Sequence, residues 1–374
     1  MRVVSWNVAF RGRAAAQRQG DLLRTLSPDL ILLQEANRGS ADVLGQAAGA
    51  DWLIRAVELR SRDPDDRPVR SRGVAIAGRG QPPHHAWLPA AVALPERILA
   101  AQMKFGGLPL TAVSYHAPPG VSWGLIKPRQ AVAFASWLAT VTGPVILGAD
   151  ANTPETDAAD FALARTHWHT GDRHLRGEPG DDLLFGPGKI HGLDDALRQW
   201  LAGHPDAAAA VAADRPLGPL AITHRTGKRK NSPGTGRRFD SIWITPHWTV
   251  QHIDHLYDDA IHAGSDHAIV ITDLTPRTVP ATTTPPSRTA PAPAERPAQL
   301  TPPCTSAAGR LQEYCQRCGY PFAGPTTQKF CAVKAACDRR LRDPGYRVPN
   351  GRQQNMTIRD ATLGANPWSR PRDA

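Results

Sequence analysis

Over its first 276 residues this chain keeps setting a short apolar stretch next to a polar or acidic cluster. Val3-Val4 leads into Ser5-Trp6-Asn7, Leu30-Ile31-Leu32-Leu33 into Gln34-Glu35, and Val145-Ile146-Leu147 into Gly148-Ala149-Asp150-Ala151-Asn152. Phe239-Asp240 and Gly264-Ser265-Asp266-His267 stand just before further apolar runs. An apolar run of this length, closed by polar residues, reads as a buried strand. Each cluster therefore falls at a strand end, on the rim of a sheet. Helical spacing lies between the runs, as at Leu22, Leu23 and Leu26 within Ala14–Leu26, which Ser27-Pro28-Asp29 stops. The alternation predicts an α/β architecture.

Strands are expected at Arg2–Phe10, Gly73–Ala77, Ile98–Lys104, Leu110–His116, Pro144–Gly148, Asp240–Thr245 and Ala268–Leu274. Helices are expected at Arg129–Val141, with Phe134, Trp137 and Leu138 on one face, and near Asp206–Ala213. The stretch from Thr153 to Gly236 is less regular.

Glu35, Asp150 and Asp266 are carboxylates that a folded domain has little reason to gather unless they hold a hard cation. Magnesium takes oxygen ligands, commonly one or two carboxylates with water completing its shell. Beside them, His267 with Asp240 to orient it makes a general base. Phosphoester hydrolysis needs charge neutralisation, an activated water and help for the leaving oxygen. The set supplies all three. Arg225, Lys228, Arg229, Lys230, Arg237 and Arg238 flank a Gly/Pro-rich turn just before Asp240, where they are candidates to clamp a phosphate backbone.

These ordered motifs resemble the endonuclease/exonuclease/phosphatase superfamily, which includes exonuclease III and deoxyribonuclease I. The resemblance spans residues 1–276 and rests on Ser5-Trp6-Asn7, Gln34-Glu35, the Gly148–Asn152 segment, Phe239-Asp240 and Ser265-Asp266-His267. Leu193-Asp194-Asp195-Ala196-Leu197-Arg198 resembles the Leu-x-Asp-x-x-Arg segment that precedes the last strands of exonuclease III-like proteins. The likeness implies a four-layer α/β sandwich of two packed mixed sheets with helices outside. It assigns Glu35, Asn7 and Asp266 to a Mg2+ (or Mn2+) site, Asp150 to a water or metal, and Asn152 to a phosphate oxygen. It further implies that His267 meets the scissile phosphate while Asp240 orients its ring. His116, in Ser114-Tyr115-His116-Ala117-Pro118, is similar to a histidine of deoxyribonuclease I and the sphingomyelinases, a general acid or phosphate donor. Whether His267 or Asp150 is the base stays open, and so does substrate: DNA cut by an endonuclease is favoured, a small phosphorylated metabolite or lipid headgroup is the alternative.

The formal charge of +10 sits mostly beyond residue 279, where 14 Lys/Arg face 6 Asp/Glu. Polyanion affinity is therefore argued mainly from the tail. Residues 277–303, rich in Pro, Thr and Ala, read as a disordered linker. Residues 304–374 form a basic tail holding all five cysteines. Cys315, Cys318, Cys331 and Cys337 fit a tetrahedral zinc site, with Cys304 as spare fourth ligand. Such a module is expected to recruit nucleic acid, with a protein partner as the alternative. No apolar run approaches the length of a membrane span, so no membrane contact is expected. The chain enters a strand directly, without a charged leader, and we expect a cytoplasmic protein.

Overall fold

The computed structural model of the chain describes residues 1–59, 72–89, 92, 94–119, 126–166, 180–227, 234–277, 312–314 and 321–323. In chain order the elements are β1 (Arg2–Asn7), α1 (Arg13–Leu26), β2 (Leu30–Asn37), α2 (Arg38–Ala48), β3 (Trp52–Arg55), α3 (Ala56–Leu59), β4 (Arg72–Gly78) and β5 (His85–Trp87). Then come β6 (Ile98–Phe105), β7 (Leu108–His116), α4 (Ile126–Leu138), β8 (Val145–Asp150), α5 (Gly180–Phe185) and β9 (Asp194–Asp195). They are followed by α6 (Ala196–Ala202), α7 (Pro205–Asp214), β10 (His224–Thr226), β11 (Thr235–Arg237) and β12 (Asp240–Ile244). β13 (Trp248–Leu256), α8 (Tyr257–Ala263) and β14 (Ile269–Pro276) complete this unit. A separate unit contributes the hairpin β15 (Gln312–Tyr314) and β16 (Pro321–Ala323), in which Tyr314 pairs with Pro321.

Two six-stranded sheets carry the first unit, ordered β13-β14-β1-β2-β4-β3 and β5-β6-β7-β8-β12-β9. Both are mixed. Each has one parallel pair at its centre, β1/β2 and β7/β8, and is otherwise antiparallel.

The alternation of side chains along these strands builds three cores. Val3, Leu30, Leu32, Ala112, Ile146, Ile242 and Val270 face inward and form the core between the sheets. Their sequence neighbours Val4, Ile31, Leu33 and Ile269 turn outward, against Ala16 and Leu23 of α1, Ala41 and Leu44 of α2 and Ala260 of α8. On the far side Val113, Tyr115, Val145, Leu147 and Trp243 meet Phe134 and Leu138 of α4 and Leu184 of α5. The result is the four-layer α/β sandwich expected from the sequence. At Gly148 the sheets approach so closely that a Cβ would stand 2.7 Å from Ser5 Oγ and 2.8 Å from Leu32 Cβ.

The expected elements stand with shifted ends. The first strand stops at Asn7, not Phe10, because Ala9 and Phe10 adopt left-handed φ of 57° and 49° that no strand accommodates. The expected helix Arg129–Val141 begins three residues earlier, at Ile126. Trp52–Arg55, Arg38–Ala48 and Trp248–Leu256 are elements that the sequence pattern did not single out. Lys228, Arg229, Lys230, Cys315, Cys318, Cys331 and Cys337, and all of the linker 277–303 but Arg277, lie outside the described residues.

Candidate active site at the sheet rim

Inward parity carries the polar residues to one end of the sandwich. Val3, Ser5 and Asn7 share the inner side of β1, and so do Ala112, Ser114 and His116 on β7 and Ile146, Gly148 and Asp150 on β8. Asp240 pairs with Asp150 across β12 and β8. The two central parallel pairs thus end together, and Asn7 Nδ2 donates to Asp150 Oδ2 at 2.7 Å across the sheets. Below this rim lies a polar layer. The Gln34 amide nitrogen is 3.3 Å from Ser5 Oγ, 3.2 Å from Ser114 Oγ, 3.2 Å from Leu32 O and 3.4 Å from Gly148 O.

Strict alternation would bury Glu35 under the helices, since Leu33 faces outward. A β-bulge prevents it. Leu33 pairs with Ala75 and Ala36 with Gly73, so β2 advances three residues while β4 advances two. Glu35 takes up the extra residue with a left-handed φ of 53°. Ala9, Phe10 and Asn152 (φ 47°) share that strained region, and all four lie in rim segments, where such strain commonly gathers. Val8 and Phe10 donate their amides to the Gln34 and Glu35 carbonyls and so support the bulge.

The electrostatics follow from burial and crowding. Burial first, then the charge of Asp150, raises the Glu35 carboxyl to about 7, although His267, a hydrogen bond with Asn7 and Arg97 pull it down. His116 is buried, its Nε2 3.6 Å from Glu35 Oε1 and 3.5 Å from Asp150 Oδ2. Arg97 Nη1 stands 3.2 Å from His116 Nδ1. The same Nη1 is 3.5 Å from Nε2, so the guanidinium covers both ring nitrogens. Burial, followed by the positive charges of Arg97, His267 and Lys127, holds His116 well below its ordinary pKa. It is a neutral hydrogen-bond donor in this setting.

His267 is shifted the opposite way. Burial works against its proton, but Asp240 and Asp150 raise it to about 10, and Nδ1 bonds Asp240 Oδ2 at 2.9 Å. Asp150, Asp240 and His267 offer ligand atoms within 4.8 Å of one another, a group able to hold a metal. His267 Nδ1 is already engaged by Asp240, however. The pair is better read as one unit, which leaves Glu35 and Asp150, with the Asn7 amide, as oxygen donors suited to a hard cation.

The structure brings Asn7, Glu35, His116, Asp150, Asp240 and His267 together. Asn152 is adjacent, its Nδ2 donating to Ala117 O at 3.0 Å. Asp266 stands apart from the metal-capable group, its side chain 48% exposed and 3.9 Å from Arg11 Nη2. Arg225 and Arg237 lie half-buried on the ribbon β10/β11. Arg238 is a correction. It is buried, with Nε on Asp157 Oδ2 and Nη2 on Asp195 Oδ2, each at 2.6 Å, inside an ion cluster rather than on a surface that substrate could meet.

Several site residues escaped the sequence reading. Lys127, buried, donates to the Ala151 and Asn152 carbonyls and holds that turn. The Thr223 hydroxyl accepts from the Phe239 and Asp240 amides. Arg97 also went unassigned, since only folding places it beside the motifs, and Gln34 and Ser5 were named in the motifs without the bridging role they take.

No protein-family model and no curated protein matches this chain. Solved structures share its architecture. They include a humanized D. rerio TDP2 (16% identity), D. rerio TDP2 complexed with a single-strand DNA product (17%) and an endonuclease/exonuclease/phosphatase from Bacteroides vulgatus (12%). Each has a TM-score of 0.50 over 74% of this chain and 98% of the other. The chain therefore has the endonuclease/exonuclease/phosphatase fold.

Proposed function

We propose that this chain is a divalent-metal-dependent phosphodiesterase of the endonuclease/exonuclease/phosphatase superfamily, acting on DNA as an endonuclease. The observation that carries the proposal is the meeting of Glu35, Asp150 and Asn7 with the Asp240–His267 pair at one rim. Glu35 and Asp150 would hold Mg2+ or Mn2+, whose charge would offset that developing on the phosphoryl oxygens. His267, kept protonated by Asp240 and Asp150, donates from Nε2 to a phosphoryl oxygen. With its proton retained, His267 is a donor in this reading. His116 adds a neutral donor, and Asp266 remains an outlying candidate for the metal's water shell. Arg225 and Arg237, together with Lys228, Arg229 and Lys230, are the proposed backbone clamp. TDP2, which shares the fold, has been seen with single-strand DNA product, and this supports a nucleic-acid substrate.

Nicking of supercoiled plasmid tests the proposal. Full-length protein with Mg2+ or Mn2+ is expected to nick, Glu35→Gln to lose the activity, and truncation after Thr275 to weaken it. Folded wild-type protein that never nicks would move the substrate to a small phosphoester, the reading favoured by a net charge of only +2 in the first 279 residues.

For the tail we propose zinc on Cys315, Cys318, Cys331 and Cys337, in a module of residues 304–374 tethered by the linker 277–303. The support is the cysteine spacing in the sequence. One zinc per chain, lost on Cys315→Ser, is the expected metal content. The proposed setting is cytoplasmic, and among the described residues no helix is long and apolar enough to cross a membrane.

A further inference from the structure

A second imidazole lies against His267. The ring of His224, at the start of β10, has its centroid 4.4 Å from that of His267, with the planes 26° apart. The two residues also form an antiparallel backbone bridge. His224 Nδ1 is 3.0 Å from the Asp266 carbonyl oxygen. A carbonyl only accepts, so Nδ1 carries the hydrogen. The same ring stacks on Phe239, centroids 5.5 Å apart.

Asp240 alone does not fix the plane of the His267 ring. A carboxylate bonded to one nitrogen restrains one edge, and the imidazole can still turn about that contact. A flat ring packed on its face removes the remaining freedom, provided that this ring is itself fixed. The bond to Asp266 and the stack on Phe239 fix His224. Its neighbour Thr223 strengthens the arrangement, because its carbonyl takes the Ala268 amide at 2.7 Å while its hydroxyl takes the Asp240 amide at 3.1 Å. Two successive residues thus hold both halves of the Asp240–His267 pair.

We propose that His224 is a positioning residue for His267, setting the plane of its ring so that Nε2 stays aimed into the rim while Nδ1 stays on Asp240. The proposal rests on the reading that His267 meets the phosphate. It also gives the ribbon β10/β11 a task beyond carrying Arg225 and Arg237, since it starts at the residue that orients the histidine.

Three variants of the full-length protein separate the parts. His224→Ala removes ring and hydrogen bond, His224→Phe keeps a ring, and His224→Asn keeps an amide donor for Asp266 without the ring. One readout needs no substrate: the downfield proton resonance of His267 Nδ1–H on Asp240, assigned by its loss in His267→Gln. The other is the split between kcat and KM in plasmid nicking with Mg2+. The resonance is expected to broaden or move in His224→Ala and His224→Asn and to return in His224→Phe. In the same two variants kcat is expected to fall on the order of 10- to 100-fold with KM little changed, the scale of a small misplacement of a reacting group. A wild-type resonance in His224→Ala would overturn the proposal, and so would a change confined to KM, which would make His224 a substrate contact. Should His224→Ala not fold, the contrast between Phe and Asn decides. If the resonance responds as expected in a protein that never nicks, the positioning role stands and the nuclease reading falls.

Discussion

Around Asp157 the fold buries two carboxylates against two guanidinium groups, whereas at the rim it crowds Glu35 and Asp150 against each other. Asp157 Oδ1 accepts from Arg198 at 2.6 Å and from Arg238 at 3.0 Å, its Oδ2 from Arg238 at 2.6 Å, and Asp195 takes the other side of Arg238. Burial presses the Asp157 pKa upward, yet Arg238 and Arg198 bring it below the ordinary carboxylate range. At the rim the balance is reversed, and Glu35 rises to about 7. Charge that is closed on itself ties chain segments together. Charge left open is where a ligand of opposite sign can bind, and strongly perturbed carboxyls of this kind mark candidate sites.

The contrast breaks most readily at the closed cluster. Arg238→Ala leaves two buried carboxylates short of a partner, and urea unfolding should show a loss of about 3–5 kcal/mol. A loss under about 1 kcal/mol would mean that the cluster is not closed. At the rim the expected sign is opposite. The folded-state pKa of Glu35 lies above its unfolded value, so between pH 4.5 and about 7 the native state holds the proton more tightly. Stability of protein in EDTA should therefore fall as pH rises through that window, by up to about 3 kcal/mol at 1.36 kcal/mol per pKa unit. Glu35→Gln should flatten the difference curve. Adding Mg2+ at pH 8 should restore stability to wild type alone, by about 1–3 kcal/mol at 10 to 100 times Kd. The smallest effect concerns the backbone under the rim. Ala9 holds a φ of 57°, and Ala9→Gly should raise the unfolding free energy by about 1 kcal/mol without altering cation binding.

The sequence revealed the strands of the sandwich because burial on both faces leaves continuous apolar runs, and it revealed Asp150, Asp240 and His267 because they stand beside such runs. It hid what depends on the partner strand. The outward aim that strict alternation would give Glu35 is undone by a bulge visible only when β2 is paired with β4. Arg238 looked like its basic neighbours Arg225 and Arg237, and only Asp157 and Asp195, 81 and 43 residues away in the chain, draw it inside. Arg97 carries no local mark at all, yet its guanidinium stands against both ring nitrogens of His116.

The layer under the site has a mechanical consequence. Two sheets packed through aliphatic side chains alone can creep past one another by small repacking steps. Here the Gln34 amide bridges Ser5 and Ser114, and the Ser114 hydroxyl donates to Leu33 O at 2.9 Å, pinning one leaf to the other with directional bonds in the buried layer. Sliding the leaves would break those bonds at the cost of leaving buried polar groups unpaired. Asn7 and Glu35 from one leaf, and His116 and Asp150 from the other, are consequently held in fixed register. On the proposed reading, a substrate would meet a rim of fixed width, and any adjustment would fall to the loops around it.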